Sequence, residues 1–501
     1  MRILFLADMI GALERREAVA AIQYRDFLPL SLALARVPHG PLLGPTLLCT
    51  LIRDAGFEVE LMQMAFRRQN ESRLLEKLSS KPDVICITTT FILDDKALAK
   101  VIVLVKEHSP KTKIILGGPG LLANPAMRSL GDYCILGEGE ENLVLLLQAI
   151  KTNTSVENIP GICFRDSSGK ENMIPVGRLT PELDKIPFAD WGLANRTKDE
   201  FYLLATQRGC AWRCAFCNYP ALEGYKLRYR STENVLQEMT LNFERYGIHR
   251  YMFADSTFTA PPERCLELLR GIARLPFRIE WAAFARVDTI TPVLRDAMVD
   301  SGCVAVYLGI ESGDQSILDK MKKNFTPEQA RYSVKLLKEA GVRSTGSWIL
   351  GWPGETPQSV RRTVDLAIEL NCEQNNVNTF TITGLSPASL SPEKFQLLGS
   401  QTDWKHQSMS YQQALRWTNW AILKLMSHNV VIGSLFDYFW LTSVGLELNE
   451  IDEIFSKTQT LNAVSRKLKS HRGIDTVEIK SFLIKRCAEI SRSAQNHPLY
   501  R

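Results

Sequence analysis

The sequence predicts an α/β protein in three parts: a Rossmann-like (flavodoxin-like) N-terminal domain, a six-fold βα array forming a partial barrel, and a mainly helical C-terminal segment. Three observations carry this expectation. Short apolar runs alternate with longer amphipathic ones across residues 1–150. The same alternation returns across residues 201–385, and strand signals fade beyond Gly384. Between the two arrays, residues 151–200 are polar and punctuated by proline (NIPGICFRDSSGKEN, then LTPELDKIPFADW), which reads as a linker with one hairpin.

In the N-terminal array the expected strands are Ile3–Ala7, Glu58–Met62, Val84–Thr88, Lys113–Leu116 and Tyr133–Leu136. Helical spacing runs from Thr46 to Ala55 and stops at Gly56, a suitable C-terminal cap. Further helices are expected at Leu98–Glu107, before Ser109-Pro110, and at Asn142–Ile150. The second array offers strands at Tyr202–Thr206, Arg250–Ala254, Glu280–Ala285, Ala305–Ile310, Thr345–Leu350 and Asn376–Thr381. Helices at Thr232–Tyr246, Pro262–Leu275, Pro292–Ser301, Pro327–Ala340 and Pro357–Leu370 separate them, four opening on a proline. Six βα units in order imply chemistry at the strand C-termini. The C-terminal stretch, residues 386–501, carries Trp417, Trp420, Phe436, Tyr438, Phe439 and Trp440, an aromatic set that reads as core rather than pocket.

Composition narrows the function classes. The chain has 501 residues, 45% hydrophobic and 23% charged, ordinary values for a globular protein of two or three domains. A net charge of +5 is too small to argue for nucleic acid. The segment Met1–Met9 is broken by Asp8 too early for a signal peptide, and no apolar run of about 18 residues predicts a membrane span. A cytoplasmic location is the expectation.

Eleven cysteines are present. Cys49, Cys86, Cys134, Cys163, Cys265, Cys303, Cys372 and Cys487 are isolated, mostly in apolar runs, and read as inert buried thiols. Cys210, Cys214 and Cys217 stand together in QRGCAWRCAFC, just past the first strand of the second array. Zinc would need a fourth ligand, and no histidine lies within thirty residues of Cys217. A bacterial two-cluster ferredoxin uses other spacing and a fourth cysteine. Three thiolates on a 4Fe–4S cluster hold three irons and leave the fourth open to the amino and carboxylate groups of a ligand such as S-adenosylmethionine.

The CxxxCxxC loop with Phe216 before its last cysteine resembles that of the radical S-adenosylmethionine (radical SAM) superfamily. Later motifs continue the resemblance, one per βα unit. Ala254-Asp255-Ser256 ends the second strand, where the family contacts the methionine amino group, although its usual form differs. Arg286 and Asp288 close the FARVD segment at charged family positions. Leu308–Gly313 resembles the GIES element, whose glutamate, here Glu311, lies near the nucleoside. Gly351, Pro353 and Gly354 belong to GWPGET, similar to the GxPGET turn that positions adenine. Ser386-Pro387-Ala388-Ser389-Leu390 sits where relatives carry a turn, but auxiliary-cluster cysteines are absent downstream, where only Cys487 remains.

In the N-terminal domain no GxGxxG follows the first strand and no GxxxxGK[ST] occurs, which disfavours a nicotinamide cofactor and a P-loop. Small residues do gather after successive strands: Gly40 to Gly44, Thr88-Thr89-Thr90, Gly117-Gly118, and Gly137-Glu138-Gly139-Glu140. They let a large flat ligand approach the backbone at the sheet's C-terminal edge. Joined to the second array, this domain resembles that of the cobalamin-binding (class B methyltransferase-like) radical SAM enzymes, over residues 1–385. The resemblance implies cobalamin contacts at Gly44, Thr88, Thr89, Gly117, Gly118, Gly137, Glu138 and Gly139. The DxHxxG motif is missing: His39-Gly40 has Val37 where its aspartate would stand.

The implied division is a cobalamin-binding domain over 1–150, a linker over 151–200, the radical SAM barrel over 201–385, and a substrate-selecting or capping domain over 386–501. The implied activity is methyl transfer from S-adenosylmethionine through methylcobalamin to an unactivated carbon, or phosphorus, of a metabolite or peptide. The cobalt ring is expected against the barrel mouth, with substrate between it and the cluster. The alternatives are cyclisation or rearrangement with the same cofactors, and a non-enzymatic cobalamin or redox sensor, for which no basic recognition helix is found. Methylthiolation is disfavoured: the family that performs it resembles this one in the barrel but carries an additional N-terminal cysteine set and a C-terminal RNA-binding domain, neither of which is recognisable here. A flavodoxin or ferredoxin is the expected electron donor.

Overall fold

The computed structural model of the protein describes residues 1–8, 37–38, 40–92, 94–166, 168–177, 179–466 and 474–500. His39 lies outside the described residues. The chain divides into two compact units, one comprising Pro41–Thr197 with the N-terminal strand, the other centred on Lys198–Gln495.

In the first unit, β1 (Arg2–Ala7), β2 (Glu58–Gln63), β3 (Val84–Thr88), β4 (Lys113–Gly117) and β5 (Tyr133–Ile135) run parallel in the order β2-β1-β3-β4-β5. This is the flavodoxin-like order, with its ligand crevice at the β1/β3 switch point. Strand alternation sends Ile3 and Phe5 toward α1 (Leu43–Asp54) and α4 (Asn142–Thr152). It sends Leu4 and Leu6 toward α2 (Glu71–Ser79) and α3 (Asp95–His108). Sequence periodicity does not reveal α2, because only Leu74 and Leu78 of its nine residues are buried. Residues 151–200 do hold a hairpin, β6 (Ile162–Arg165) and β7 (Glu171–Met173). It is no free linker: β6 pairs antiparallel with β5 and extends the sheet.

The second unit is a six-stranded parallel sheet in sequence order: β8 (Tyr202–Leu204), β9 (Arg250–Phe253), β10 (Glu280–Ala285), β11 (Cys303–Glu311), β12 (Arg343–Leu350) and β13 (Gln374–Thr379). Its connecting helices are α5 (Thr232–Tyr246), α6 (Pro262–Ala273), α7 (Pro292–Asp300), α8 (Pro327–Glu339) and α9 (Pro357–Leu370). Thr291, Thr326 and Thr356 cap three of the proline-led helices by accepting a backbone N–H. The expected (β/α)6 array is present, with β8 and β13 as its two edges. Trp281 is fully buried against Phe253 and Phe258, and its indole N–H donates to Ser301 O at 3.0 Å. Burial of such a ring contributes about 2–3 kcal/mol.

After β13 come α10 (Tyr411–Ser427), α11 (Leu435–Thr442), α12 (Leu448–Ser465) and α13 (Thr476–Gln495). Met252, Ala282 and Ala305 on the inner face of the sheet pack against Leu435, Tyr438 and Phe439 of α11, so much of the aromatic stretch is core. Beside the edge strand β13, the Asn375 N–H donates to Val431 O and the Gly433 N–H to Asn375 O, which covers part of that edge. Among the described residues no helix is long and apolar enough to cross a membrane.

Candidate functional site

The cysteine loop leaves the C-terminal end of β8 by way of Gln207–Arg208, which pairs antiparallel with Arg228–Tyr229. Gly209 has φ +92°, and a Cβ there would lie 2.4 Å from Lys226 O, so the entry to the loop requires glycine. The Cys210 N–H donates to Gly224 O at 3.1 Å, and the Cys217 N–H to Cys214 O at 3.2 Å. From behind, the Ala215 N–H donates to Met321 O and its carbonyl accepts from Ala388, both at 2.9 Å. The segment Ser386–Leu390 therefore buttresses the loop.

Burial pushes the Cys217 thiol up to about 11 and also raises Cys214, against which Lys323 and Arg286 pull downward. No set of three or more ligand-type side chains among the described residues is drawn in around one metal ion. A polynuclear cluster, with each thiolate on a different iron, makes no such demand. Three thiols on one loop beside two buried cations suit an anionic iron–sulfur cluster.

Arg286 and Lys323 form that cationic wall. Arg286 makes two bonds to Asp288 (2.8 and 2.9 Å) and one to Lys323 O (2.5 Å), with its guanidinium 4.5 Å from the Trp212 ring centroid. Its Nη1 lies 4.0 Å from Cys214 Sγ, so the structure places it on the cysteine loop. Lys323, which sequence reasoning missed, is 4% exposed, and among the described residues its ammonium donates one hydrogen bond, to Glu311 Oε1 at 3.5 Å. A lone lysine in a loop after a short helix carries no sequence signal; only folding brings it here. Glu311 sits at a register shift in β11 with φ +67°, an uncommon conformation for a non-glycine residue. Its Oε2 accepts from Ser347 Oγ at 3.2 Å.

Asp255 is placed differently from the expectation. Its Oδ1 accepts from the N–H groups of Thr206 (2.7 Å) and Gln207 (3.1 Å), and its Oδ2 from Thr206 Oγ1 (2.5 Å). Its carboxylate shapes the turn that launches the cysteine loop.

The turn at Gly351–Glu355 packs on the same loop, with the Trp352 ring edge-on to Phe216 at 6.2 Å. Gly351 and Gly354 have φ +95° and +88°, and a Cβ on Gly351 would lie 2.5 Å from Ala414. Glu355 is fully buried, accepts from the Gly351 N–H, and leaves Oε1 without a partner. Burial raises its carboxyl to about 8. Pro353 is buried within the turn.

In the first unit an open cleft of roughly 600 Å³ lies at the strand C-termini, lined by Gly44, Thr88, Gly117, Gly118, Gly137 and Gly139 among others. Its apolar wall includes Phe5, Leu48, Ile115 and Leu143. A Cβ on Gly44 or Gly117 would meet no protein atom within 4 Å, and neither has a positive φ. Nothing in the unit itself demands glycine there, and the open space fits a bulky ligand. Thr89 and Glu138 are turned elsewhere. Thr89 is buried with its hydroxyl on Gly117 O at 3.0 Å, and Glu138 accepts from the Thr180 N–H at 2.9 Å. Thr90 lines the cleft in place of Thr89.

Comparison with known proteins agrees with this pairing of sites. Residues 34–147 match the B12 binding domain and residues 204–367 the Radical SAM superfamily. An uncharacterized methyltransferase of Pyrococcus horikoshii is 29% identical over 363 residues, 69% of this chain and 77% of that protein. The anaerobic magnesium-protoporphyrin IX monomethyl ester cyclase of Rubrivivax gelatinosus is 24% identical over 67% of this chain and 62% of its own length. The fold is shared with the radical S-adenosylmethionine methyltransferase TsrM of Kitasatospora setae, solved with cobalamin and a [4Fe–4S] cluster bound. That match has a TM-score of 0.67 and 18% identity, and covers 99% of each chain. The chain thus carries a B12 binding domain followed by a radical SAM domain, the pairing that matches cobalamin radical S-adenosylmethionine enzymes.

Proposed function

We propose that the protein is a cobalamin-dependent radical SAM methyltransferase acting on an unactivated carbon or phosphorus of a metabolite or peptide. The observation that carries the reading is the cysteine loop facing Lys323 and Arg286 in a chain that also holds the glycine-lined cleft. Cys210, Cys214 and Cys217 would hold the cluster, and the cleft around Gly44 and Gly117 the cobalamin. When bound, the cluster supplies one electron to the sulfonium of S-adenosylmethionine and the corrinoid supplies a methyl group. Lys323 would bind the methionine carboxylate, since its buried ammonium has donors to spare. Arg286 would hold the loop and offset its negative charge. The Gly351–Glu355 turn would seat the adenine. The electron would come from a flavodoxin or ferredoxin. A second reading, cyclisation or rearrangement with the same cofactors, is supported by the likeness to the magnesium-protoporphyrin cyclase.

The test is anaerobic purification, a visible spectrum for iron–sulfur and corrinoid bands, and turnover with reductant and S-adenosylmethionine. Formation of 5′-deoxyadenosine together with S-adenosylhomocysteine is the expected result. Deoxyadenosine alone favours the second reading, and neither product from a cluster-loaded protein refutes both. Alanine at any one clustered cysteine should abolish deoxyadenosine.

A further inference from the structure

The inner face of β13 is unusual for a strand. Its sequence is QNNVNT, rich in residues that strands ordinarily avoid. Asn375 turns outward, accepting from Trp348 Nε1 at 3.0 Å. Alternation then sets Gln374, Asn376 and Asn378 in a column on the opposite, inner face. Gln374 is 1% exposed, and neither of its amide atoms has a partner. Asn378 is exposed.

Asn376 meets Tyr307, which reaches across β12 from β11; Asn376 Nδ2 donates to the phenol oxygen at 2.9 Å. The Tyr307 hydroxyl also meets Ser347, so what remains available is the second Nδ2 hydrogen of Asn376 to donate and Asn376 Oδ1 to accept. The Asn376 amide, held by Tyr307, thus offers one donor and one acceptor side by side. The Tyr307 side chain is partly accessible, and burial pushes its hydroxyl up to about 12. It stays neutral, and orients the Asn376 amide. Phe284 stands edge-on to Tyr307 at 5.4 Å, with Phe436 tilted against Phe284 at 6.2 Å, and both are partly accessible.

We infer that this inner face is the substrate-reading surface, and that it takes a neutral planar group with adjacent donor and acceptor, an amide or lactam-like edge, flanked by apolar surface. Asn376, oriented by Tyr307, reads the polar edge, and Phe284 and Phe436 cover the flat face. The inference rests on the proposed radical chemistry of this unit, which would act on whatever is held there.

The test uses the cluster-loaded full chain in anaerobic equilibrium dialysis with three probes: benzamide, toluene and benzoate. Benzamide should be retained well above benzoate. Asn376→Leu and Tyr307→Phe should each cut benzamide retention about fivefold or more. Toluene retention should stay within about twofold, a selectivity change that general loosening of the fold would not produce. If Asn376→Leu fails to fold, Asn378→Leu at the exposed end of the column should give the same change, more weakly. Unchanged benzamide retention in folded variants, equal retention of benzoate, or no retention of any probe overturns the inference. Deoxyadenosine formation is measured separately, so loss of the radical reading and loss of this surface are distinguishable.

Discussion

His406 donates its Nε2 hydrogen to the carbonyl of Gly351 at 3.1 Å, while the N–H of the same glycine is taken by Glu355. Two titratable side chains thus hold one residue of the turn whose next residue, Trp352, meets Phe216. Burial lowers the pKa of His406 from 6.5 and raises Glu355 to about 8.

These shifts set a pH window with opposite signs at its ends. The folded protein prefers neutral His406, so that contribution is present above pH 6.5 and is lost as acid charges the imidazole. It prefers protonated Glu355, so that contribution is full below pH 4.5 and is lost as pH rises through about 8. Melting curves across this range should show Glu355→Gln flattening the alkaline decline. A variant that declines as steeply as the parent overturns the assignment.

Lys323→Met should weaken S-adenosylmethionine binding by roughly 10- to 100-fold, the scale of one charge-assisted hydrogen bond of about 1.5–3 kcal/mol. It also leaves the Glu311 carboxyl buried without its cation. Calorimetric titration of the cluster-loaded variant reads the loss, and unchanged affinity would remove Lys323 from the site.

Gly44→Leu separates ligand binding from folding. A Cβ at Gly44 meets no protein atom, so the unit should keep its stability or gain up to about 1 kcal/mol of helix propensity. The leucine would fill the cleft, and corrinoid content after reconstitution should fall at least about tenfold. Full corrinoid loading would show that the cleft is not where cobalamin enters.

Asp255→Asn removes an acceptor oxygen from a set of three bonds. A loss of about 1–3 kcal/mol is expected, read in the melting temperature. Iron content per chain should fall with it, because the turn it holds launches the cysteine loop. Native stability and iron content would restore Asp255 to a ligand-contacting role.

Much of the fold was legible because period and punctuation agree. Strands such as Val84–Thr88 are short apolar runs, and helices such as Pro357–Leu370 open on proline after a capping threonine. The hairpin in residues 151–200 was legible as a hairpin but not as sheet, because pairing of β6 with β5 is a long-range choice. Of the eight residues expected at the cleft, five glycines and Thr88 line it, whereas Thr89 and Glu138 do not. Thr88 and Thr89 are indistinguishable by type, and the strand's alternation turns one to the cleft and the other to Gly117.

By itself, then, the sequence determined the order of elements, the thiol trio and the turns that require glycine, since spacing and backbone sterics are local properties. Tertiary structure alone decided which charges meet. It brought Lys323 from beyond β11 to the cysteine loop, moved Arg286 onto Cys214, enclosed Asp255 in a turn and paired Tyr307 with Asn376. Each is a contact between distant segments, and only the packing of strand ends can bring such residues within hydrogen-bonding reach.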